Sequence, residues 1–297
     1  MAARPAYLDL NQEALDREYN NRAQRPGPEF DAFMARCAAD SAEARHILPC
    51  ALDIPYGPSA EETLDVFTPA GAKGAPVNIF FHGGYWRAFN KSEFSYVALG
   101  PAQRGIVTVV VNYALIPAAT MATLIDQCRR AVLWAARHIG AYGGDLDRLY
   151  LSGHSAGGHI VAMLLAQDAA VELPRAAIAG ACAISGVYEL EPVRRCFLNK
   201  TLGFTDEDIA HFSPRTLAPT LRCPLLVAVG ARESAEFLRQ SRDFAATWKA
   251  SYGRIETAII SDKDHFSIRT DLSDPNAPMT ALMLDHLNRA LQSAPAT

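Results

Sequence analysis

Cysteine is scarce in this chain of 297 residues, and it is not arranged for metal binding or thiol redox chemistry. The sequence has six cysteines, with no C-x-x-C pair and no cysteine–histidine cluster at zinc-finger spacing. Zinc ribbons and thioredoxin-like motifs require those spacings, so both classes are excluded. An even number leaves two or three disulfides open, but a long α/β chain without a secretory signal favours free, mostly buried thiols. The cysteines are Cys37, Cys50, Cys128, Cys182, Cys196 and Cys223.

Long apolar runs and an excess of positive charge are also missing. No stretch approaches the ~20 apolar residues of a membrane-spanning helix, and residues 1–22 lack the apolar core of a secretory signal. The net charge of −4 disfavours nucleic acid or an anionic membrane as a partner. The lack of both apolar segments leads us to expect a soluble cytoplasmic protein. Its 49% hydrophobic and 20% charged residues predict one sizeable core. A homodimer stays open.

The first fifty residues differ from the rest of the chain. Gln12–Tyr19 is predicted as a short polar helix, which Pro26, Gly27 and Pro28 interrupt. A second helix follows, with an apolar stripe at i, i+3, i+4 and i+7 formed by Phe30, Phe33, Met34 and Cys37. Since this region has too few apolar residues for its own core, residues 1–50 are predicted to be an arm or cap of a single domain that spans residues 1–297.

From about residue 51 the sequence alternates between strand and helix patterns. Continuous apolar runs such as VNIFF and IVTVVV are typical of strands buried on both faces of a parallel sheet. The pattern predicts an α/β fold with a mostly parallel, eight-stranded sheet flanked by helices. Residues 186–222 fit neither pattern and are predicted to be an insertion over the sheet. The predicted strands are Ala51–Ile54, Leu64–Thr68, Val77–Phe81, Ile106–Val111, Arg148–Leu151, Ile178–Ile184, Leu225–Val229 and Ile255–Ile260. The helices predicted between and after them are Thr123–His138, Gly158–Gln167, Ala235–Trp248 and Met279–Leu291.

A candidate nucleophile lies in the G-x-S-x-G motif of residues 153–157. A strand pattern precedes this motif and a helix pattern follows it, as the strand–turn–helix of a nucleophile elbow requires. The glycines let the backbone turn sharply, so that the hydroxyl of Ser155 stands above the sheet at the start of a helix. The alternative is a glycine-rich connection that contains a serine by chance.

A serine hydroxyl needs a base to take its proton and an acid to orient that base. For the base we favour His265, in a polar loop after the last strand, because functional groups collect at the carboxyl ends of strands in α/β sheets. For the acid we favour Glu233, the first carboxylate after the strand Leu225–Val229. The alternative bases are His211 and His286, and the alternative acids are Asp264 and Asp243.

The strand VNIFF leads directly into a second glycine motif, HGGYW at residues 82–86. Adjacent Gly83 and Gly84 allow backbone N–H groups to approach a substrate and to stabilise an oxyanion, together with the N–H of Ala156. We expect at least one ring of Tyr85 and Trp86 to line the substrate pocket, with core packing under the loop as the alternative. His82 is expected to order the loop rather than to act as an acid or base.

These motifs, in this order, resemble the α/β-hydrolase superfamily, and they are most similar to its kynurenine formamidase (arylformamidase) branch. That branch is itself similar to the hormone-sensitive-lipase-like esterases. The resemblance runs from residue ~18 to residue ~290 and implies nucleophile, acid and base at Ser155, Glu233 and His265. In the family the acid is often Asp, so Glu233 is a departure from the pattern. The segments that carry the resemblance are EYNNR at 18–22, YG at 56–57, LDVF at 64–67, HGGYW, GHSAGG at 153–158, GARES at 230–234 and DHF at 264–266.

Together, the motifs and the resemblance predict a serine hydrolase that needs neither a metal nor an organic cofactor. The resemblance implies cleavage of a small, aryl formamide or of a short-chain carboxylic ester. A general short-chain carboxylesterase, a thioesterase, a peptidase, a C–C hydrolase and a non-catalytic binding protein on the same fold remain alternatives. An intact set of Ser155, Glu233 and His265 argues against the binding protein.

Overall fold

A computed structural model describes residues 6–25, 27–166 and 177–293 of the chain. Its centre is one sheet of eight strands in the order β1-β2-β4-β3-β5-β6-β7-β8. β1 and β2 pair antiparallel, as do β2 and β4, and every other pair is parallel. The predicted mostly parallel, eight-stranded sheet is confirmed. The strands are β1 (Cys50–Pro55), β2 (Thr63–Phe67), β3 (Ala75–Phe81), β4 (Val107–Val111), β5 (Gly144–His154), β6 (Ile178–Ile184), β7 (Leu225–Gly230) and β8 (Ile255–Ile260).

Helices cover both faces of the sheet because its central strands are apolar on both sides. In β3 the side chains of Ile79 and Phe81 join one buried cluster, and that of Phe80 joins the other. The α-helices are α1 (Gln12–Tyr19), α2 (Pro28–Ile47), α3 (Leu99–Ala102), α4 (Met121–His138), α5 (Ala156–Ala166), α6 (Glu191–Arg195), α7 (Asn199–Leu202), α8 (Asp206–Phe212), α9 (Ala235–Tyr252), α10 (Ser267–Thr270) and α11 (Pro278–Ser293). Helices α4, α5 and α9 pack on the first face, and α2 and α11 pack on the second.

Most predicted elements are present, and the largest difference is the length of β5. The predicted strand Arg148–Leu151 extends to Gly144–His154, since polar residues at its start and glycine at its end hide the strand pattern. The predicted helix Gly158–Gln167 is observed as Ala156–Ala166, and Gln167 lies outside the described residues.

The N-terminal arm and residues 186–222 lie against each other. Asp16 of α1 accepts a hydrogen bond from the backbone N–H of Phe197 at 2.7 Å, and Gln12 donates to the carbonyl of Arg195 at 2.9 Å. Residues 186–222 hold the short helices α6, α7 and α8. That they form an insertion within a single domain stays a prediction.

The parallel register brings several loops to one edge of the sheet. Phe81 of β3 pairs with Gly153 of β5, and His154 pairs with Ile184 of β6. At the other end of the sheet, Gly230 of β7 pairs with Ile260 of β8. The loops that follow these strands leave the sheet at its carboxyl edge, where ligands bind in open α/β sheets.

Candidate active site

Ser155 occupies a strained turn between β5 and α5. Its φ of +58° lies in the left-handed region, which non-glycine residues adopt only when their surroundings hold them there. Its backbone N–H donates to the carbonyl of Ile184 at 2.8 Å. A Cβ built on Gly157 would lie 1.9 Å from the carbonyl oxygen of Phe81, so only glycine lets α5 start this close to β3. The close approach of α5 to β3 therefore explains why Gly157 of the motif is a glycine.

The structure brings Ser155, His265 and Glu233 into one hydrogen-bonded chain. Ser155 Oγ lies 3.0 Å from His265 Nε2, and His265 Nδ1 lies 2.6 Å from Glu233 Oε2. These three residues come from the loops after β5, β8 and β7, and all three are buried; Ser155 is 3% exposed. The arrangement matches the geometric requirement for a nucleophile, a base and an orienting acid.

The carboxylate of Glu233 is held by two further donors. Its Oε1 accepts from the backbone N–H of Gly230 at 2.8 Å and from the hydroxyl of Ser185. With the Nδ1–H of His265 on Oε2, both oxygens have a partner, so the carboxylate keeps one orientation. The glutamate in place of the more usual aspartate thus still reaches the base.

Sequence reasoning did not assign Ser185 to the site. Ser185 follows the apolar strand β6 directly and has a φ of +51°. A polar residue at the carboxyl end of a central parallel strand is the signal that could have identified it.

Two rings pack against the imidazole of His265. The ring centroid of Phe237 lies 4.4 Å away and that of His154 lies 4.6 Å away. Burial, and then the neighbouring His265, lower the pKa of His154 well below its ordinary value. His154 therefore stays neutral beside the base and places no second positive charge on it.

The alternative acids have other partners. Asp264 accepts from Arg25 at 2.7 and 3.1 Å and from the backbone N–H groups of Phe266 and Ser267. Burial alone would raise the pKa of Asp264, but the hydrogen bonds from Ser267 and Arg25 lower it below its ordinary value. Asp243 forms ion pairs along α9 with Arg239 at 3.1 Å and Arg242 at 3.0 Å.

The alternative bases also lie elsewhere. His286 on α11 is buried, and its Nδ1 is 2.7 Å from the hydroxyl of Tyr150; burial lowers the pKa of His286 to about 4. His211 is exposed on α8, and its Nδ1 lies 2.9 Å from the carbonyl of Glu207. Neither contact involves Ser155.

The HGGYW loop passes directly beside Ser155. A Cβ built on Gly83 would lie 3.0 Å from the Cβ of Ser155 and 2.9 Å from the carbonyl of His154, so a side chain there would collide with the elbow. Gly84, Tyr85 and Trp86 follow with φ angles of +117°, +48° and +55°. Three successive left-handed residues redirect the backbone N–H groups of this loop within a short span.

Two neighbours complete the surroundings of this loop. Ala156 is the first residue of α5, and the first N–H groups of a helix have no acceptor within it. The ring of His82 stacks between Tyr113 and Phe94 at 4.3 and 5.3 Å, and its Nδ1–H donates to the carbonyl of Gly83. Burial lowers the pKa of His82 to about 4, so a neutral ring orders the loop.

The two aromatic residues of the loop have different surroundings. The hydroxyl of Tyr85 donates to the carbonyl of Tyr19 at 2.9 Å, and its ring is partly buried. Trp86 is 0% exposed, and its Nε1–H donates to Nδ1 of His159 at 3.2 Å. The Nε2–H of His159 donates in turn to a backbone carbonyl, and burial lowers its pKa to about 4. For Trp86 the structure therefore favours packing under the loop over lining an open pocket.

Because Trp86 is enclosed, its loss is expected to act mainly on stability. Trp86→Ala should lower the free energy of unfolding by about 3–5 kcal/mol, since it leaves a cavity and removes the donor to His159. Urea unfolding of the variant and of wild type measures this difference. Wild-type stability with an altered KM for aryl substrates would show instead that the indole faces the substrate.

The part of the chain that the structure describes contains no group of three His, Cys, Asp or Glu side chains arranged to hold a metal ion. Nor does any helix among the described residues have the length and apolar character needed to cross a bilayer. All six cysteines are described and free, and five of them are buried.

Comparison with known proteins identifies the family. A family model described as BD-FAE matches residues 64–184. Kynurenine formamidase of Danio rerio is 31% identical over 294 residues, which cover 96% of this chain and 99% of that protein. The kynurenine formamidase of Salmo salar is 30% identical, with coverage of 96% and 99%.

Solved structures show the same fold. The crystal structure of a putative thioesterase from Silicibacter sp. TM1040 has a TM-score of 0.81 and 29% identity, and it covers 91% of this chain and 98% of its own. Esterase B of Lactobacillus rhamnosis has a TM-score of 0.71 at 18% identity, with coverage of 93% and 96%. The predicted α/β-hydrolase fold and the resemblance stated from the motifs are both confirmed. This chain is a hydrolase that belongs to the kynurenine formamidase family of the α/β-hydrolase superfamily.

Proposed function

We propose that this hydrolase cleaves small N-formyl aryl amides through Ser155, His265 and Glu233, and that it also accepts short-chain carboxylic esters. The observation that supports the proposal is the chain of contacts from Ser155 Oγ to His265 at 3.0 Å and from His265 to Glu233 at 2.6 Å. The relatives named kynurenine formamidase, matched over nearly their whole length, support the formamide as the substrate class.

The first step is attack on the formyl carbon. His265 Nε2 takes the proton of Ser155 Oγ as the oxygen forms a bond to the carbonyl carbon, and Glu233 stabilises the resulting imidazolium. The carbonyl oxygen becomes an oxyanion. In this proposal, backbone N–H groups of Gly83, Gly84 or Tyr85, and of Ala156, stabilise that charge.

The second step releases the aryl amine. An aniline nitrogen is a poor leaving group unless it is protonated, so the C–N bond breaks as His265 delivers to nitrogen the proton that it took from Ser155. The formyl group stays on Ser155 as an ester. A p-nitrophenolate leaving group needs little protonation, which is why activated short esters should react at the same site.

Water completes the cycle by the same groups. His265 takes a proton from water, the water oxygen attacks the formyl ester, and the C–O bond to Ser155 breaks with return of the proton to its oxygen. Formic acid leaves and ionises to formate and a proton in solution, and the free hydroxyl of Ser155 is restored. The reaction consumes one water and needs no other co-reactant.

The enclosure of the site supports a small acyl group. Ser155 and His265 are each 3% exposed, and a Cβ built on Gly83, in the loop that would hold the oxyanion, would lie only 3.0 Å from the Cβ of Ser155. Formyl is the smallest acyl group, so it requires the least room beside Ser155. A long acyl chain would require the surrounding loops to move.

A kinetic panel tests the proposed substrate class. We expect measurable deformylation of N-formylkynurenine and formanilide, and turnover of p-nitrophenyl acetate and butyrate. Acetanilide serves as the matched control, because it differs from formanilide by one methyl group on the acyl side. Efficient cleavage of p-nitrophenyl octanoate without detectable deformylation would contradict the formamidase proposal and favour a general carboxylesterase.

The sequence also bears on the localisation, the partners and the oligomeric state of the enzyme. We propose a cytoplasmic enzyme that acts on a small molecule without nucleic acid, which the net charge of −4 supports. A homodimer stays a prediction, for which no interface residues are proposed. Light scattering after size-exclusion chromatography distinguishes monomer from dimer.

A further inference from the structure

One short piece of the N-terminal arm contacts three segments that carry or adjoin proposed catalytic groups. This piece, residues 18–25, is called the strap here. It begins in the last turn of α1 and ends at Arg25, three residues before α2 begins at Pro28. Its contacts reach the HGGYW loop, the start of α9 beside the acid, and the loop that carries the base.

The contact with the HGGYW loop is made through the hydroxyl of Tyr85. This hydroxyl accepts from Nδ2 of Asn21 at 3.1 Å and donates to the carbonyl of Tyr19 at 2.9 Å. Asn21 is buried. Tyr85 itself has a φ of +48°, a conformation that persists only where surrounding contacts enforce it. The strap supplies two such contacts at the end of the side chain.

The contact near the acid is made at the start of α9. The carboxylate of Glu18 accepts from the backbone N–H of Glu236 at 2.9 Å, which satisfies one of the free donors at the helix N-terminus. The hydroxyl of Tyr19 donates to the carboxylate of Glu236 at 2.8 Å and accepts from Gln240 at 2.7 Å. Glu236 follows Glu233 by three residues, so these bonds hold the helix whose preceding loop carries the acid.

The contact with the base loop is an ion pair. Arg25 donates from Nε and Nη2 to Asp264 at 3.1 and 2.7 Å, and both side chains are mostly buried. Asp264 directly precedes His265 and accepts from the two backbone N–H groups that follow His265. The pair thus links the strap to the turn in which the base is fixed.

We propose that the strap positions the HGGYW loop against the catalytic triad formed by Ser155, His265 and Glu233. In this proposal Asn21 is a positioning residue that acts through Tyr85. The proposal rests on the proposed function, because it assigns the oxyanion to the loop of residues 83–85. Oxyanion donors accelerate a reaction only when they are already in place as charge develops. Without the anchor at Tyr85, the left-handed turn loses two contacts and the donors spread over several positions.

The expected effect is on kcat rather than on KM, because oxyanion contacts strengthen in the transition state and contribute little to the ground state. Asn21→Ala and Tyr85→Phe should each lower kcat about 10-fold with KM nearly unchanged, since a small displacement of catalytic groups has effects of this order. The double variant should be no slower than Tyr85→Phe alone, because that change already removes the hydrogen bond from Asn21, together with the one to Tyr19.

Gln12→Ala is the matched control in the same arm. Gln12 donates to the carbonyl of Arg195 and to Asp16, both at 2.9 Å, and these contacts lie on residues 186–222 and on α1 rather than on a catalytic loop. If hydrogen bonds of the arm matter only for stability, Gln12→Ala and Asn21→Ala should lower the melting temperature alike and leave kcat unchanged. The proposal predicts a loss of kcat for Asn21→Ala alone.

The outcomes separate this proposal from the proposed function. Wild-type kcat in Asn21→Ala and Tyr85→Phe, with Ser155→Ala inactive, would overturn the positioning role and leave the triad intact. Losses that multiply in the double variant would also overturn it, because independent effects do not come from one contact. If Asn21→Ala fails to fold, Tyr85→Phe decides alone, since it removes a single oxygen atom.

Discussion

Ser155→Ala is expected to lower kcat on formanilide and on p-nitrophenyl acetate by a factor of ~10⁴ or more. The hydroxyl is the group that would bond to the acyl carbon, and no other hydroxyl lies within hydrogen-bond distance of His265 among the described residues. The fold should survive, because serine already bears the cost of a φ of +58° at this position and alanine bears about the same cost. The change also removes only one oxygen atom. Steady-state kinetics and circular dichroism on the same sample measure both effects.

Ser152→Ala is the matched control for this change. Ser152 lies three residues earlier on β5 and donates to Asn78 at 2.7 Å, away from His265. We expect near wild-type kcat from it. A comparable loss in both variants would mean that the Ser155 result reflects damage to the elbow rather than loss of the nucleophile.

Glu233→Gln is expected to lower kcat by roughly 10²–10⁴-fold. The oxygen that faces Gly230 and Ser185 must accept from both, so the new amide nitrogen would face Nδ1 of His265. An N–H there favours the tautomer in which Nε2 carries the proton, and that tautomer cannot accept the proton of Ser155. Steady-state kinetics of the variant measures the loss.

Asp243→Asn and Asp264→Asn distinguish the three carboxylates. Asp243→Asn should be near wild type, because its partners lie along α9. Asp264→Asn should cause a smaller loss than Glu233→Gln, because it weakens the contact with Arg25 without touching the ring of His265. If Asp264→Asn is the crippling change and Glu233→Gln is nearly silent, the acid has been assigned to the wrong residue.

The central sheet and the three candidate catalytic residues could be predicted because their signals are local. Apolar runs mark strands, and parallel strands share a carboxyl edge, so polar residues just after β5, β7 and β8 had to come together. The same rule applies to Ser185 after β6. A single hydroxyl, however, carries less chemical information than a carboxylate or an imidazole, so position alone does not assign Ser185 to the site.

The contacts of the arm could not be predicted, because they join residues far apart in the chain. Asn21 and Tyr85 are separated by 64 positions, and Arg25 and Asp264 by 239. No periodicity specifies such pairs. The direction of the Trp86 ring was equally open, since a glycine turn sets the backbone but does not say whether a following ring points into the core. In the structure the Trp86 ring lies in the core, where its Nε1–H donates to His159.

Labelling with a fluorophosphonate tests the proposed nucleophile most directly. The probe bonds to an activated serine, and the tryptic peptide from Leu149 to Arg175 separates Ser155 from Ser185, which lies on the next peptide. We predict a single adduct per chain, placed on Ser155 by fragment ions and absent from Ser155→Ala. An adduct on Ser152 or Ser185, or unchanged labelling of Ser155→Ala, would contradict the assignment of Ser155 as the nucleophile.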